Sequence, residues 1–172
     1  TMDPTPGVSL LADWNGDGVA SPGVFHDGKW LVTNAAVGSA PWEGFAEFGS
    51  AGDILLTGNR DIDSTADLAV FRDGTWTWRN STGKQDSFVF GEAGDTPLVG
   101  DWNGDGIDEP AVVRGNIWII PKPKGNGVRT FTLGRAGDIP VAGDWDRDGR
   151  DSPGVVRKSN KWLLAKSVNR VK

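Results

Sequence analysis

The chain contains no cysteine and no tyrosine, a single histidine and a single methionine. Without cysteine there is no disulfide framework and no thiolate metal site, so any stapling must come from packing or from oxygen-ligated ions. Nor can one histidine form the clusters that hold transition metals. No apolar run approaches the ~20 residues that a membrane span needs, and no membrane insertion is expected. Residues Thr1 to Gly7 have neither the charged start nor the apolar run of a signal peptide. An extracellular protein whose signal is absent from this sequence is the expectation. Positive charge is also scarce: 18 Lys and Arg stand against 23 Asp and Glu, a net charge of -5. That balance repels phosphate backbones and anionic lipid, and no nucleic-acid partner is expected.

Glycine and tryptophan are abundant, with 25 Gly and nine Trp beside seven Phe, a balance that fits short strands joined by tight turns. Asp13-Trp14-Asn15-Gly16-Asp17-Gly18 returns at Asp101 to Gly106 and, as Asp144-Trp145-Asp146-Arg147-Asp148-Gly149, near the end. A degenerate copy spans Asn59 to Ser64. The copies start 46, 42 and 43 residues apart, a period shared by propeller blades and some helical arrays. Strand signals decide between them. Each acidic loop is followed by a short apolar run, a hairpin turn (Asp27-Gly28, Asp73-Gly74, Gly115-Asn116, Ser159-Asn160) and a strand led by Trp30, Trp76, Trp118 or Trp162. Phe48-Gly49-Ser50-Ala51-Gly52-Asp53 recurs at Phe90 to Asp95 and Leu133 to Asp138, and its Gly-Asp reads as a turn before another strand.

These signals predict an all-β fold: a single β-propeller domain over residues 1–172, with four blades of about 43 residues and short antiparallel strands. The strand that ends in Phe/Leu-Gly (Phe48-Gly49, Phe90-Gly91, Leu133-Gly134) occurs three times against four acidic loops. The last blade is therefore expected to be three-stranded or completed in trans, the latter giving a homo-oligomer.

The loops span 13–21, 59–67, 101–109 and 144–152. In the third, oxygen side chains stand at positions 1, 3, 5 and 9 (Asp101, Asn103, Asp105, Glu109), with the Ile107 carbonyl available at position 7. Alternating short carboxylates with Gly at position 6 suit Ca2+, because a tight turn converges them on one point. EF-hands and dockerins need an acidic ligand at position 12, where this chain has Val24, Val70, Val112 and Val155.

With its repeated Asp-x-Asn/Asp-x-Asp-Gly loops the sequence resembles the FG-GAP/VCBS family of calcium-binding β-propellers. The resemblance implies ligands at Asp13, Asn15, Asp17 and Ser21; at Asn59, Asp61, Asp63 and Asp67; at Asp101, Asn103, Asp105 and Glu109; and at Asp144, Asp146, Asp148 and Ser152. It further implies backbone oxygens from Val19, Thr65, Ile107 and Arg150. Ser at the ninth position implies weaker binding in the first and fourth loops, with Asp151 assisting the fourth. The second loop carries Ser64 where Gly is expected.

The remaining features point away from catalysis. His26 aligns with Arg72, Arg114 and Arg157 and has no visible Ser or acid partner. Seven Trp recur at fixed repeat positions, which predicts packing between blades. Trp42, with Glu43 beside it, and Trp78 depart from the repeat and are the recognition candidates. A non-catalytic binding module for a glycan or protein is expected. The alternatives are a structural spacer attached to a secreted enzyme and, further off, a small hydrolase.

Overall fold

The computed structural model describes residues 7–33, 43–122, 127–158 and 160–166. The strands are β1 Val8–Ala12, β2 Ser21–His26, β3 Lys29–Val32, β4 Glu43–Glu47, β5 Ile54–Gly58, β6 Asp67–Arg72, β7 Thr75–Arg79, β8 Gln85–Val89, β9 Thr96–Gly100, β10 Glu109–Arg114, β11 Ile117–Pro121, β12 Val128–Thr132, β13 Ile139–Gly143, β14 Ser152–Val156 and β15 Trp162–Leu164. They form four small antiparallel sheets in sequence order, β1 to β4, β5 to β8, β9 to β12 and β13 to β15. This is a four-bladed β-propeller whose last blade is three-stranded. The chain divides into two compact units, Thr1–Arg72 with Trp76–Phe88, and Asp73–Thr75 with Val89–Lys172. Each unit brings the first strands of its two blades together, β1 beside β5 and β9 beside β13.

The second strand of each blade carries the core. β6, β10 and β14 are buried along almost their whole length, whereas the outer strands β8 and β12 are largely exposed. A strand covered on both faces reads as a continuous apolar run, which is why Ala69-Val70-Phe71 and Ala111-Val112-Val113 stood out in the sequence. The hairpin-following Trp30, Trp76 and Trp118 are fully buried. Phe88 stacks on Trp76 at 6.4 Å and Phe131 on Trp118 at 6.0 Å, with the ring planes within 8° and 10° of parallel. One core forms around Trp14, Phe25, Trp30, Phe48 and Leu68 in the first unit, another around Trp102, Val113, Trp118, Ile120 and Val155 in the second.

At the Asp27-Gly28 and Asp73-Gly74 turns both residues take positive φ, 49° and 80°, then 49° and 86°. That is the primed turn whose twist matches the flanking strands. The fourth hairpin is expected at Ser159-Asn160, and Ser159 lies outside the described residues; the connection closes between Arg157 and Lys161 with Asn160 left-handed at φ 56°.

The Gly-Asp turns do more than reverse the chain. Asp53 accepts from Arg72 at 2.6 Å, Asp95 from Arg114 at 2.8 Å, and Asp138 from Arg157 at 3.1 Å. Each carboxylate also caps its own turn by accepting the amide of Ser50, Glu92 or Arg135. The clamp ties the segment entering a blade to the end of that blade's second strand. The first blade has Gly7 and His26 in the two positions, so both halves are missing together, and His26 approaches Asp27 instead at 3.4 Å.

Candidate metal centres in the acidic loops

The first and third loops are built on one plan. Asp13 accepts the amides of Gly16, Asp17 and Gly18; Asp101 accepts those of Gly104, Asp105 and Gly106. Wrapping three amides around one carboxylate needs left-handed backbone at positions 4 and 6. Gly16 and Gly18 lie at φ 76° and 82°, Gly104 and Gly106 at 80° and 86°. Both Asp13 and Asp101 keep acceptor capacity, since a carboxylate has about four lone-pair sites. In all four loops the position-7 amide, from Val19, Thr65, Ile107 or Arg150, donates to the position-5 carboxylate. The indole of Trp14, Trp102 or Trp145 donates to the position-9 carbonyl of Ser21, Glu109 or Ser152. The position-2 Trp thus ties the loop's start to the strand that leaves it.

The fourth loop gives the most open convergence. One carboxylate oxygen each from Asp144, Asp146 and Asp148 lies within 4.8 Å of the others, all three residues exposed. Asp144 is held by the amides of Asp148 and Gly149. Arg147 takes a left-handed φ of 60° where the first and third loops have glycine. Asp151, expected to assist this loop, instead binds the third. Its carboxylate accepts the Asp101 amide at 3.0 Å, and its own amide donates to the Asp101 carbonyl at 2.8 Å. The equivalent link in the first unit runs from the Ala66 amide to the Asp13 carbonyl at 2.7 Å.

The second loop follows another path. Positions 4 and 6, Ile62 and Ser64, are not among the left-handed residues. Asn59 donates to the Asp63 carbonyl, and Thr65 supplies Asp63 with both its amide and its hydroxyl. The turn between β7 and β8 reaches in as well: the Asn80 amide donates to Asp61 at 3.2 Å and the Ser81 hydroxyl to Asp63 at 2.9 Å. Spacing within the loop could not reveal these two residues. Asp67 is buried at the loop's exit; its Oδ2 accepts the Arg60 amide at 2.9 Å, while its Oδ1 is buried without a hydrogen bond. Such an orphaned oxygen is costly unless a donor or a cation meets it.

Electrostatics mark the same places. Burial, followed by the charges of Asp61 and Asp63, pushes Asp67 up to about 6 against the opposing backbone amides of Arg60 and Ser81. Burial together with Asp105 and Asp101 pushes Glu109 up to about 7; its oxygens accept from the Trp102 amide and the Asn103 side chain. Asp151 is raised by burial and by Asp101 and Asp144. Carboxylates crowded out of water against one another are what a bound divalent cation relieves. The donor set consists of hard oxygens, which fits Ca2+ better than a soft-ligand metal.

Of the recognition candidates, Trp42 lies outside the described residues, and Glu43 opens β4 opposite Val32. Trp78 is buried: Trp76 stacks beside it at 6.3 Å and the Arg60 guanidinium lies 5.3 Å from its ring centroid. Trp78 is therefore a packing residue. A cleft of about 450 Å³ in the first unit is lined by the repeat residues Asp27 and Phe48 together with Lys29, Glu47 and Gln85, which the repeat pattern does not single out. Both halves of the Asp–Arg clamps recur in the sequence, but their pairing is not read from it, although a constant separation of 19 residues, lost at both ends in the first blade, is a signal that finds it. Comparison of the chain with family models, curated proteins and solved structures gives no match.

Proposed function

We propose that the chain is a secreted, calcium-stabilised β-propeller of the FG-GAP/VCBS kind that acts as a non-catalytic binding module for a glycan or a protein. The observation that carries the calcium reading is the convergence of Asp144, Asp146 and Asp148 within 4.8 Å, in a loop whose plan recurs along the chain. The buried, unbonded Oδ1 of Asp67 supports it independently. Bound Ca2+ would supply charge neutralisation and fix the strand exits; the residues themselves aim the oxygens. The cleft beside Lys29 and Glu47 supports the binding half. The charged and amide side chains of Asp27, Lys29, Glu47 and Gln85 suit a polar, hydroxyl-rich ligand, and the volume lies in the usual range of ligand sites.

Terbium tests the ion. Tb3+ takes hard oxygen ligands, and the Trp at loop position 2 is placed to sensitise it. Titration should give luminescence excited through tryptophan and displaced by Ca2+. Asp146→Ala should remove part of that signal and leave the fold in place, since among the described residues Asp144 and Asp148 hold the loop's backbone amides and Asp146 holds none. Absent luminescence, or luminescence indifferent to Ca2+, overturns the calcium reading. A glycan array on the calcium-loaded chain tests the ligand class.

A further inference from the structure

Among the described residues, the fourth blade presents an edge that the other three cover. β15 pairs with β14 in the register that β3 keeps with β2 and β11 with β10: Val156 faces Trp162 as Phe25 faces Trp30 and Val113 faces Trp118. Trp162 is thus the fourth member of the hairpin set, yet it is 56% exposed where Trp30, Trp76 and Trp118 are at 0%. The contrast with the expected packing role has a local cause. Phe88 and Phe131, which stack on Trp76 and Trp118, belong to the outer strands β8 and β12, and among the described residues no strand lies outside β15. Leu164 on the same strand is 44% exposed.

The three covered edges say what chemistry fits. Phe131 pairs opposite Trp118. One residue past its strand, the amide of Phe48, Phe90 or Leu133 donates to the hairpin carbonyl of Gly28, Gly74 or Asn116. The equivalent carbonyl in the fourth blade is that of Asn160. Between those two points, Lys29 faces Glu47 and Ile117 faces Thr132; in the fourth blade the position is Lys161, with Lys158 and Lys166 near it in sequence. Lysines deter indiscriminate pairing at a sheet edge and favour an acidic partner.

We propose that the edge of β15, unpaired among the described residues, is an acceptor for an extended peptide strand of the pattern Phe-Glu-Leu/Phe-Gly, carried by a partner polypeptide. The strand adds antiparallel, with its Phe on Trp162, its acid opposite Lys161 and its Leu or Phe amide on the Asn160 carbonyl. Backbone pairing gives affinity and the alternate side chains give selectivity. The inference does not depend on calcium.

The probe is a fluorescent peptide copying Val128–Ala136 with Thr132→Glu, titrated against the full chain by anisotropy. Saturable one-to-one binding is expected, weakened about tenfold by Phe131→Ala in the peptide and weakened by salt. Trp162→Ala in the chain should abolish the Phe131 contribution; if that variant misfolds, the peptide substitution reads the same contact from the other side. Equal binding of a scrambled peptide, or no binding at millimolar concentration, overturns the proposal. So does sedimentation of the chain as a dimer that the peptide does not dissociate, which would assign the edge to a second copy.

Discussion

Each Asp–Arg clamp sets a carboxylate that is nearly out of water against a guanidinium that is not: the Asp95 side chain is 1% exposed and that of Arg114 44%. Arg114 holds the Asp95 carboxyl below its ordinary value, against the opposing effect of burial, with the Glu92 amide adding to the lowering. A depressed acid stabilises the fold above its unfolded value and loses that contribution as pH falls through the folded one. Asp95→Asn should therefore destabilise the fold near neutrality by on the order of 1–2 kcal/mol for the lost charged hydrogen bonds, read as a lower melting temperature, and the gap from the parent should close below pH ~4. Parallel melting curves at pH 7 and pH 3 would assign Asp95 a turn role only. The position was legible in the sequence as a recurring Gly-Asp, but its partner was not. A turn reading asks nothing of a residue 19 positions away, whereas the clamp depends on how β5, β9 and β13 lie against the ends of β6, β10 and β14.

At the level of elements, the hairpins and loops that the sequence announced are those whose determinants are contiguous. Asp27-Gly28 specifies its own turn, and Asp101 to Glu109 contains the three amides that wrap the Asp101 carboxylate and the indole that closes the third loop. Contacts delivered from another element left no such trace: Asn80 and Ser81 reaching the second loop, Asp151 reaching the third, Trp78 folded under Arg60. The outer strand is the clearest case, because it decides whether a hairpin tryptophan is core or surface. Trp118→Ala should cost about 3–5 kcal/mol, as expected for deleting a buried aromatic ring, whereas Trp162→Ala should cost under about 1 kcal/mol in the isolated chain. Urea denaturation with a common m-value measures both. Similar losses would mean that the two tryptophans share one environment.

For the molecule as a whole, an ion bound only by the folded chain adds RT ln(1 + [L]/Kd), about 2.7 kcal/mol per site at one hundred times Kd. Several filled loops should then raise the melting temperature in calcium over chelator by more than about 5 °C for a chain of this size. Coincident scans in calcium and in EDTA would leave the loops as hydrogen-bonded turns. The blade order and the last blade's three strands were readable from the repeat alone, since a repeated unit declares its boundaries and its omissions. How the loops work in pairs was not, because the links from Ala66 to Asp13 and from Asp151 to Asp101 join separate repeats. The Asn80 contact reaches further still. Asn80-Ser81-Thr82 is a glycosylation sequon, but in the folded chain the Asn80 side chain is occupied: its amide donates to Asp61, and its oxygen accepts from the Thr82 hydroxyl and the Lys84 amide. A sugar on that nitrogen would leave it one N–H but set a bulky group where it meets Asp61, so use of the sequon and docking of that hairpin are opposed. If a eukaryotic secretory host glycosylates Asn80, its material is expected to differ from bacterial material at the second loop, and the choice of expression system becomes a choice of which acidic site is studied.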